Sequence, residues 1–387
     1  MKHRFIAKKY WNEICTPMTE SAFLGKEYPD LINFSIGDPD FTTDERIINA
    51  AFTDAKNGHT HYTDLFGDPE LREEICMYHH DVYHFQVGLD ECLVTTSGSQ
   101  AMFLALEAIL DEGDEVIVPE PCFTPYPYQI RISGGKPVVL PTLEEDGFQP
   151  DMGRLKSLLT NRTKAMIINT PNNPTGVCYS RETLERIAQV AMDHDLMIIA
   201  DDIYPLFSYA EPHVPVATLE GMRERTITIR SFSKDYAMTG WRVGYTLAPP
   251  FLTKMMEEIN ENNVFTAPSI SQRAALHGLR MRNLVQPPLV EEYQKRSYYA
   301  YERIKNIPRM SVLFPQGSIY LFVNIKKTGL NSREVTTKLL HEAHVLVLPG
   351  YAFGASGEGY VRIALSVGLD KMGEAFDRIS LMDIFSH

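Results

Sequence analysis

The sequence predicts an α/β protein, with a large unit built on a mainly parallel sheet between helices and a smaller α+β unit beside it. Three observations carry this. Between residues 90 and 250, short apolar runs alternate with helix-period segments, the order that builds a parallel sheet. The runs are rich in β-branched residues and apolar at successive positions, as strands buried on both faces must be. The chain is 387 residues long, more than one compact core holds, so a second unit is expected.

In chain order the runs are CLVTT, EVIVP, AMIINT, LMIIADD, TITIRSF and VGYTLA. Between two of them lies Ser180 to Asp195, with a serine placed as N-cap and apolar Leu184, Ile187, Ala188 and Ala191 at helical spacing. From about residue 290 the pattern changes to a long helical stretch, then SIYLFVNI, VLVLPG and YVRIALS with helices between and after. The expected division is residues 46–285 for the large unit, with 1–45 and 286–387 forming the smaller one.

Bulk properties exclude several functions. With 37 basic and 50 acidic residues the formal charge is −13, which repels nucleic-acid phosphates, and the basic residues form no patch. Cys15, Cys76, Cys92, Cys122 and Cys178 are odd in number and lack C-x-x-C spacing. That argues against a disulfide framework or a structural metal and for a reducing compartment. No apolar segment follows the basic start MKHRFIAKKYWNE, and no run approaches the ~18 apolar residues of a membrane span. A soluble cytoplasmic protein is expected.

Ligands of open parallel sheets sit at the carboxyl ends of the strands, so polar residues where the runs stop are the candidates. After CLVTT come Ser97, Gly98 and Ser99, opening a helix-like stretch. They could close on a phosphate or be an ordinary strand–helix turn. PNNPTG after AMIINT presents Asn173 on a stiff turn. After LMIIA stand Asp201, Asp202 and Tyr204; a carboxylate there could bind metal, act as a base, pair with a cationic ring nitrogen or cap a helix. The stretch SFSKDYAMTGWRVGY sets Ser231 and Ser233 beside Lys234, with Arg242 eight residues on. Such a lysine is a candidate for imine chemistry with a phosphorylated carbonyl cofactor. A serine–lysine hydrolase competes, but it lacks an oxyanion device and leaves Asp201 and Arg242 unused.

Taken together, GSQA, NNPTG, DDIY and SFSK…GWRVGY resemble the class I aminotransferases, enzymes dependent on pyridoxal 5′-phosphate (PLP), of the aspartate aminotransferase fold. The likeness runs from FSIGDPDF to GEGYVRIALS, and the spacings Asn173–Asp201, Asp201–Tyr204 and Lys234–Arg242 agree with it. The resemblance implies fold type I of the PLP-dependent transferases, with a seven-stranded sheet in the large, PLP-binding domain. It implies that Lys234 forms the imine with PLP and shuttles the α-proton. Asp201 matches the carboxylate that keeps the pyridine nitrogen protonated, and Asn173 and Tyr204 match the pair on the ring's 3′ oxygen. Ser97, Gly98, Ser99, Ser231 and Arg242 match the phosphate cup, with Ser233 in the same strip. Phe123, in EPCFTPY, falls where an aromatic ring stacks on the cofactor, the alternative being core packing. Arg362 and Gly37 match the contacts to the substrate's α-carboxylate. Tyr62, in HYTDLFGDPELR, resembles a tyrosine that reaches the neighbouring subunit's cofactor phosphate, which implies a homodimer.

The expected reaction moves an amino group from an L-amino acid to a 2-oxo acid such as 2-oxoglutarate. Aromatic or broad donor specificity is favoured, because no cation for a distal carboxylate can be placed, Ser99 stands where some relatives have lysine, and Phe123 and Tyr126 offer apolar edges. Aspartate or N-acetyl-diaminopimelate as donor is the alternative. A carbon–sulfur β-lyase of the same fold is a further one, and a transcription regulator is disfavoured because no helix-turn-helix or basic surface is present.

Overall fold

The computed structural model describes residues 3–11 and 28–386. A two-residue strand, β1 (Ile32–Asn33), precedes the large sheet. That sheet comprises β2 (Cys92–Thr95), β3 (Glu115–Glu120), β4 (Lys136–Pro141), β5 (Thr163–Ile168), β6 (Met197–Asp201), β7 (Thr226–Ser231) and β8 (Gly244–Leu247). Its seven strands run in the order β2-β8-β7-β6-β5-β3-β4. All are mutually parallel except β8, which is antiparallel to both neighbours.

Alternation of side chains along buried strands builds two cores. On one face Ala165 and Ile167 of β5 join Ile199, Ile227 and Ile229 beneath helices Gly98–Ile109 and Pro250–Glu261. On the other, Met166 and Ile168 join Ile198 and Ala200 beneath helix Arg181–Asp193. That helix buries Leu184, Ile187, Ala188 and Ala191, and the Ser180 hydroxyl caps it by accepting from the Thr183 amide at 3.0 Å. The KPVVLP segment that forms β4 is not among the apolar runs that mark the other strands. It is an edge strand of the sheet, with Leu140 its one fully buried residue and two prolines in its length, so it lacks the signature of a doubly buried strand.

The C-terminal part contributes β9 (Tyr320–Asn324), β10 (Val345–Leu346), β11 (Leu348–Pro349) and β12 (Tyr360–Ala364). β11, β12 and β9 form an antiparallel sheet in that order, and β10 pairs in parallel with β1. The long helix Arg282–Lys305 places Tyr293, Ala300 and Ile304 in a core that also takes Tyr204 and Phe207 from the segment after β6. This shared core fixes β9 and β12 against the carboxyl end of the large sheet. Among the described residues, no helix is long and apolar enough to cross a membrane. Cys15 lies outside the described residues; the other four cysteines are free thiols.

Candidate active site

The carboxyl ends of β2, β5, β6 and β7 open on one cavity of about 470 Å³. It is lined by every residue expected at the site except Tyr62: Gly37, Ser97, Gly98, Ser99, Phe123, Asn173, Asp201, Tyr204, Ser231, Ser233, Lys234, Arg242 and Arg362. Tyr62 lies on the surface, 82% exposed, with its ring edge on Phe265.

Each wall follows from local structure. The last residue of β6 is Asp201, buried, with its Oδ1 lacking a hydrogen-bond partner among the described residues. Its Oδ2 accepts a hydrogen bond from the Tyr126 hydroxyl. Burial raises the carboxyl's pKa to about 7; the Tyr126 hydrogen bond opposes this and the neighbouring Asp202 charge adds to it. Asn169, where β5 stops, donates to the Asp201 carbonyl at 2.8 Å and accepts from the Asn173 amide at 2.8 Å, so the two strand ends are tied together.

Lys234 follows β7 in the short helix Phe232–Asp235, and its ammonium donates to the Gly37 carbonyl. Burial depresses its pKa, with Tyr320 and Asp38 opposing and Arg362 and Arg242 assisting. A lysine so shifted is a better nucleophile near neutral pH. The Ser231 hydroxyl donates to Ser233 Oγ at 2.9 Å and accepts from the Ser233 amide. Opposite them, helix Gly98–Ile109 begins without a side-chain cap on its first-turn amides, and Ser97 sits at φ 83°. Free amides at the positive end of a 12-residue helix are an anion site in waiting. A Cβ on Gly98 would lie 2.8 Å from Ile203 Cδ1, so a side chain there would crowd the cavity wall. Arg242 stands just ahead of the reversed strand β8, exposed, with its guanidinium on the Thr239 carbonyl at 2.8 Å.

Arg362 on β12 is 1% exposed. It donates to Asn173 Oδ1 at 3.0 Å and to the Ser35 carbonyl at 2.6 Å, and lies over the Tyr320 ring at 4.4 Å. Its Nε is buried without a partner among the described residues. Burial lowers its pKa, and the groups acting in the other direction are the Tyr320 and Tyr204 phenols rather than a carboxylate. A buried guanidinium held by neutral oxygens is primed for an anionic ligand.

Three partners escaped the sequence reading. Asn169 ends an apolar run and so carried the same strand-end signal as Asp201. Tyr126 carries no sequence signal as a hydrogen-bond donor; expected as an apolar edge of the side-chain pocket, it has its hydroxyl engaged by Asp201. Tyr320 sits inside an ordinary strand pattern.

Residues 29–379 match the family described as aminotransferase class I and II. The chain belongs to that family. It is 39% identical over 354 residues to an aspartate aminotransferase of Pyrococcus abyssi, covering 90% of this chain and 91% of the relative. It is 38% identical over 357 residues to aromatic-amino-acid aminotransferase 2 of Thermococcus litoralis, covering 90% of each. An aspartate aminotransferase structure from Thermus thermophilus, solved with maleate, superposes with a TM-score of 0.93 at 31% identity, covering 98% of this chain and 99% of that one. This aminotransferase is therefore a PLP-dependent transferase of the aspartate aminotransferase fold. The cavity fits the cofactor: an amine of depressed pKa, a buried carboxyl oxygen lacking a donor, and an uncapped helix terminus beside Ser231 all face one space.

Proposed function

We propose that the enzyme takes aromatic or broadly apolar L-amino acids as donors and passes the amino group to a 2-oxo acid such as 2-oxoglutarate. The observation that carries this reading is the charge inventory of the cavity. Among the described residues its basic lining is Lys234, Arg242 and Arg362, and its acidic lining is Asp38 and Asp201. Each cation has a task in the proposed assignment, which leaves none fixed for a donor's distal carboxylate, and Asp38 adds like charge. The second carboxylate of 2-oxoglutarate, one methylene further out, is left to a mobile arginine beyond this lining, as the family resemblance implies. Identity alone does not divide the donors, since relatives named for aspartate and for aromatic amino acids match almost equally.

In this assignment Lys234 carries the cofactor and takes the proton from the substrate's Cα. Asp201 holds a proton on the pyridine nitrogen through its unpaired oxygen. Asn173 and Tyr204 hold the ring's 3′ oxygen, and Phe123 stacks on the ring. Ser97, Gly98, Ser99, Ser231 and Arg242 hold the phosphate, with Ser233 orienting Ser231. Arg362 grips the α-carboxylate with Gly37 beside it, exchanging neutral oxygens for a charged pair. PLP, when bound, supplies the conjugated sink for the electron pair left at Cα.

The rest of the proposal is a cytoplasmic homodimer in which Tyr62 reaches the cofactor phosphate of the other subunit. Free thiols support the compartment, and an 82%-exposed tyrosine supports an interface role. Residues 46–285 are proposed as the PLP-binding domain, with 1–45 and 286–387 as the small one.

The test of donor choice is kcat/KM for phenylalanine, tyrosine, alanine and aspartate with 2-oxoglutarate. Aromatic donors are expected to equal or exceed aspartate. Aspartate ahead by about a hundredfold, ~2.7 kcal/mol of differential binding, would require a cation that this reading lacks.

A further inference from the structure

We propose that Tyr320 is a positioning residue with two separable jobs: its ring carries the Arg362 guanidinium, and its hydroxyl keeps the Tyr204 proton available to the cofactor. The inference rests on the proposed roles of Arg362 and Tyr204.

The ring's place follows from strand register. On β9 and β12, Arg362 pairs with Phe322 and Tyr320 pairs with Ala364. Tyr320 is thus the diagonal neighbour of Arg362 on one face of the sheet, within reach of long side chains. The guanidinium lies over the ring at 4.4 Å from its centroid, with Phe353 at 4.9 Å on another side. A planar cation between aromatic faces is limited in the tilts it can adopt. With two neutral oxygens bonded to it among the described residues, the rings are what hold its plane ready for a two-point grip on a carboxylate.

The hydroxyl meets the Tyr204 hydroxyl and the Gly37 backbone. Its oxygen is 3.2 Å from the Tyr204 hydroxyl. It also packs against Gly37, where a Cβ would fall 1.8 Å from it; the Gly37 carbonyl accepts from Lys234. One of the two phenols must donate to the other. If Tyr204 spends its proton on the ring's 3′ oxygen, Tyr320 is the donor between them. A hydroxyl that accepts one hydrogen bond becomes a stronger donor in the next. Tyr320 therefore strengthens the Tyr204 contact while its ring serves the substrate's other end, linking two sites that Asn173 also joins.

Two substitutions separate the jobs. Tyr320→Phe keeps the ring and removes the hydroxyl. It is expected to leave the KM for phenylalanine and the Ki for 3-phenylpropionate within about twofold while lowering kcat about fivefold or more. The pH midpoint of the bound cofactor's absorbance should also rise, because a weakened donor at the 3′ oxygen favours protonation of the conjugated imine nitrogen. Tyr320→Leu removes the platform too, and should in addition raise KM and Ki together by about fivefold or more. The proposal is overturned if Tyr320→Phe matches the parent in both kcat and midpoint, or if Tyr320→Leu leaves Ki unchanged. It is equally overturned if both variants lower every parameter in parallel with thermal stability, as a packing residue would. Should Tyr320→Leu fail to fold, Tyr320→Phe still decides the hydroxyl and Tyr320→Val, a β-former without a ring, decides the platform. Arg362→Ala separates the two readings: if it leaves Ki for 3-phenylpropionate unchanged, the carboxylate assignment itself is wrong.

Discussion

Asp201 is a carboxyl group in surroundings that disfavour its charge. Burial lifts its pKa to about 7, and Tyr126 pulls the other way. An acid whose folded pKa is raised binds protons that the unfolded chain has released, so folding loses stability as pH climbs through that interval. In the cofactor-free protein this group's contribution should decline from about pH 4 to about pH 7 and then level off, and Asp201→Asn should remove that slope; thermal melts across pH measure it. PLP affinity should rise over the same range as the carboxylate forms. Tyr126→Phe should shift that rise to higher pH, because it deletes the one hydrogen bond opposing the effect of burial. A titration of PLP binding that is identical in the parent and Tyr126→Phe would mean the tyrosine merely fills space. Arg362 invites a different test. Its neutral partners suit it to any α-carboxylate, so Arg362→Ala should raise KM for aromatic, aliphatic and acidic donors alike, by about tenfold or more. A rise confined to one donor class would place Arg362 at the side-chain end instead.

At the scale of elements, the strand ends carried most of the information. Serine, asparagine, aspartate and lysine at the stops of apolar runs were legible because a doubly buried strand cannot carry them in its interior. Tyr126 and Tyr320 were not, since an aromatic residue reads as core whether or not its hydroxyl has work to do. β4 escaped for the converse reason, being an edge strand with a half-exposed pattern. A further device is visible only in three dimensions. Because β8 runs opposite to its neighbours, its first residue lies where theirs end, beside the phosphate-binding turn proposed at Ser97–Ser99. That residue is Gly244, and a Cβ on it would fall 2.7 Å from the Arg230 carbonyl oxygen and 2.9 Å from the Gly98 amide nitrogen. Both are backbone atoms and cannot swing aside. Gly244→Ala should therefore weaken PLP binding by about tenfold or more and cost about 1–3 kcal/mol of stability. Gly98→Ala, whose closest neighbour is the movable end of Ile203, should be milder. Equal affinity in parent and Gly244→Ala, by equilibrium dialysis, would remove Gly244 from the account.

At the scale of the whole molecule, the proposed homodimer divides each site between two chains. Lys234 and Arg362 line the same cavity in one chain, while Tyr62 faces outward. Mixing inactive Lys234→Ala chains with inactive Tyr62→Ala chains should restore part of the activity, since one site per hybrid would again be intact. Lys234→Ala mixed with Arg362→Ala should restore none. Recovery in the second mixture, or an active monomer by light scattering, would contradict the shared site.

The pairing of β1 with β10 has a consequence in time. Ile32 meets Val345 and Asn33 meets Leu346, so a strand near the beginning of the chain finds its partner near the end. During synthesis at roughly 5–20 residues per second, β1 leaves the ribosome well over ten seconds before its partner exists. The segment that presents Gly37 must wait through that interval with its edge unsatisfied. The proposed phosphate-binding turn can be complete once β8 has emerged, but the proposed substrate end of the cavity cannot. A nascent chain is thus expected to acquire its grip on the cofactor before it has anywhere to put an amino acid.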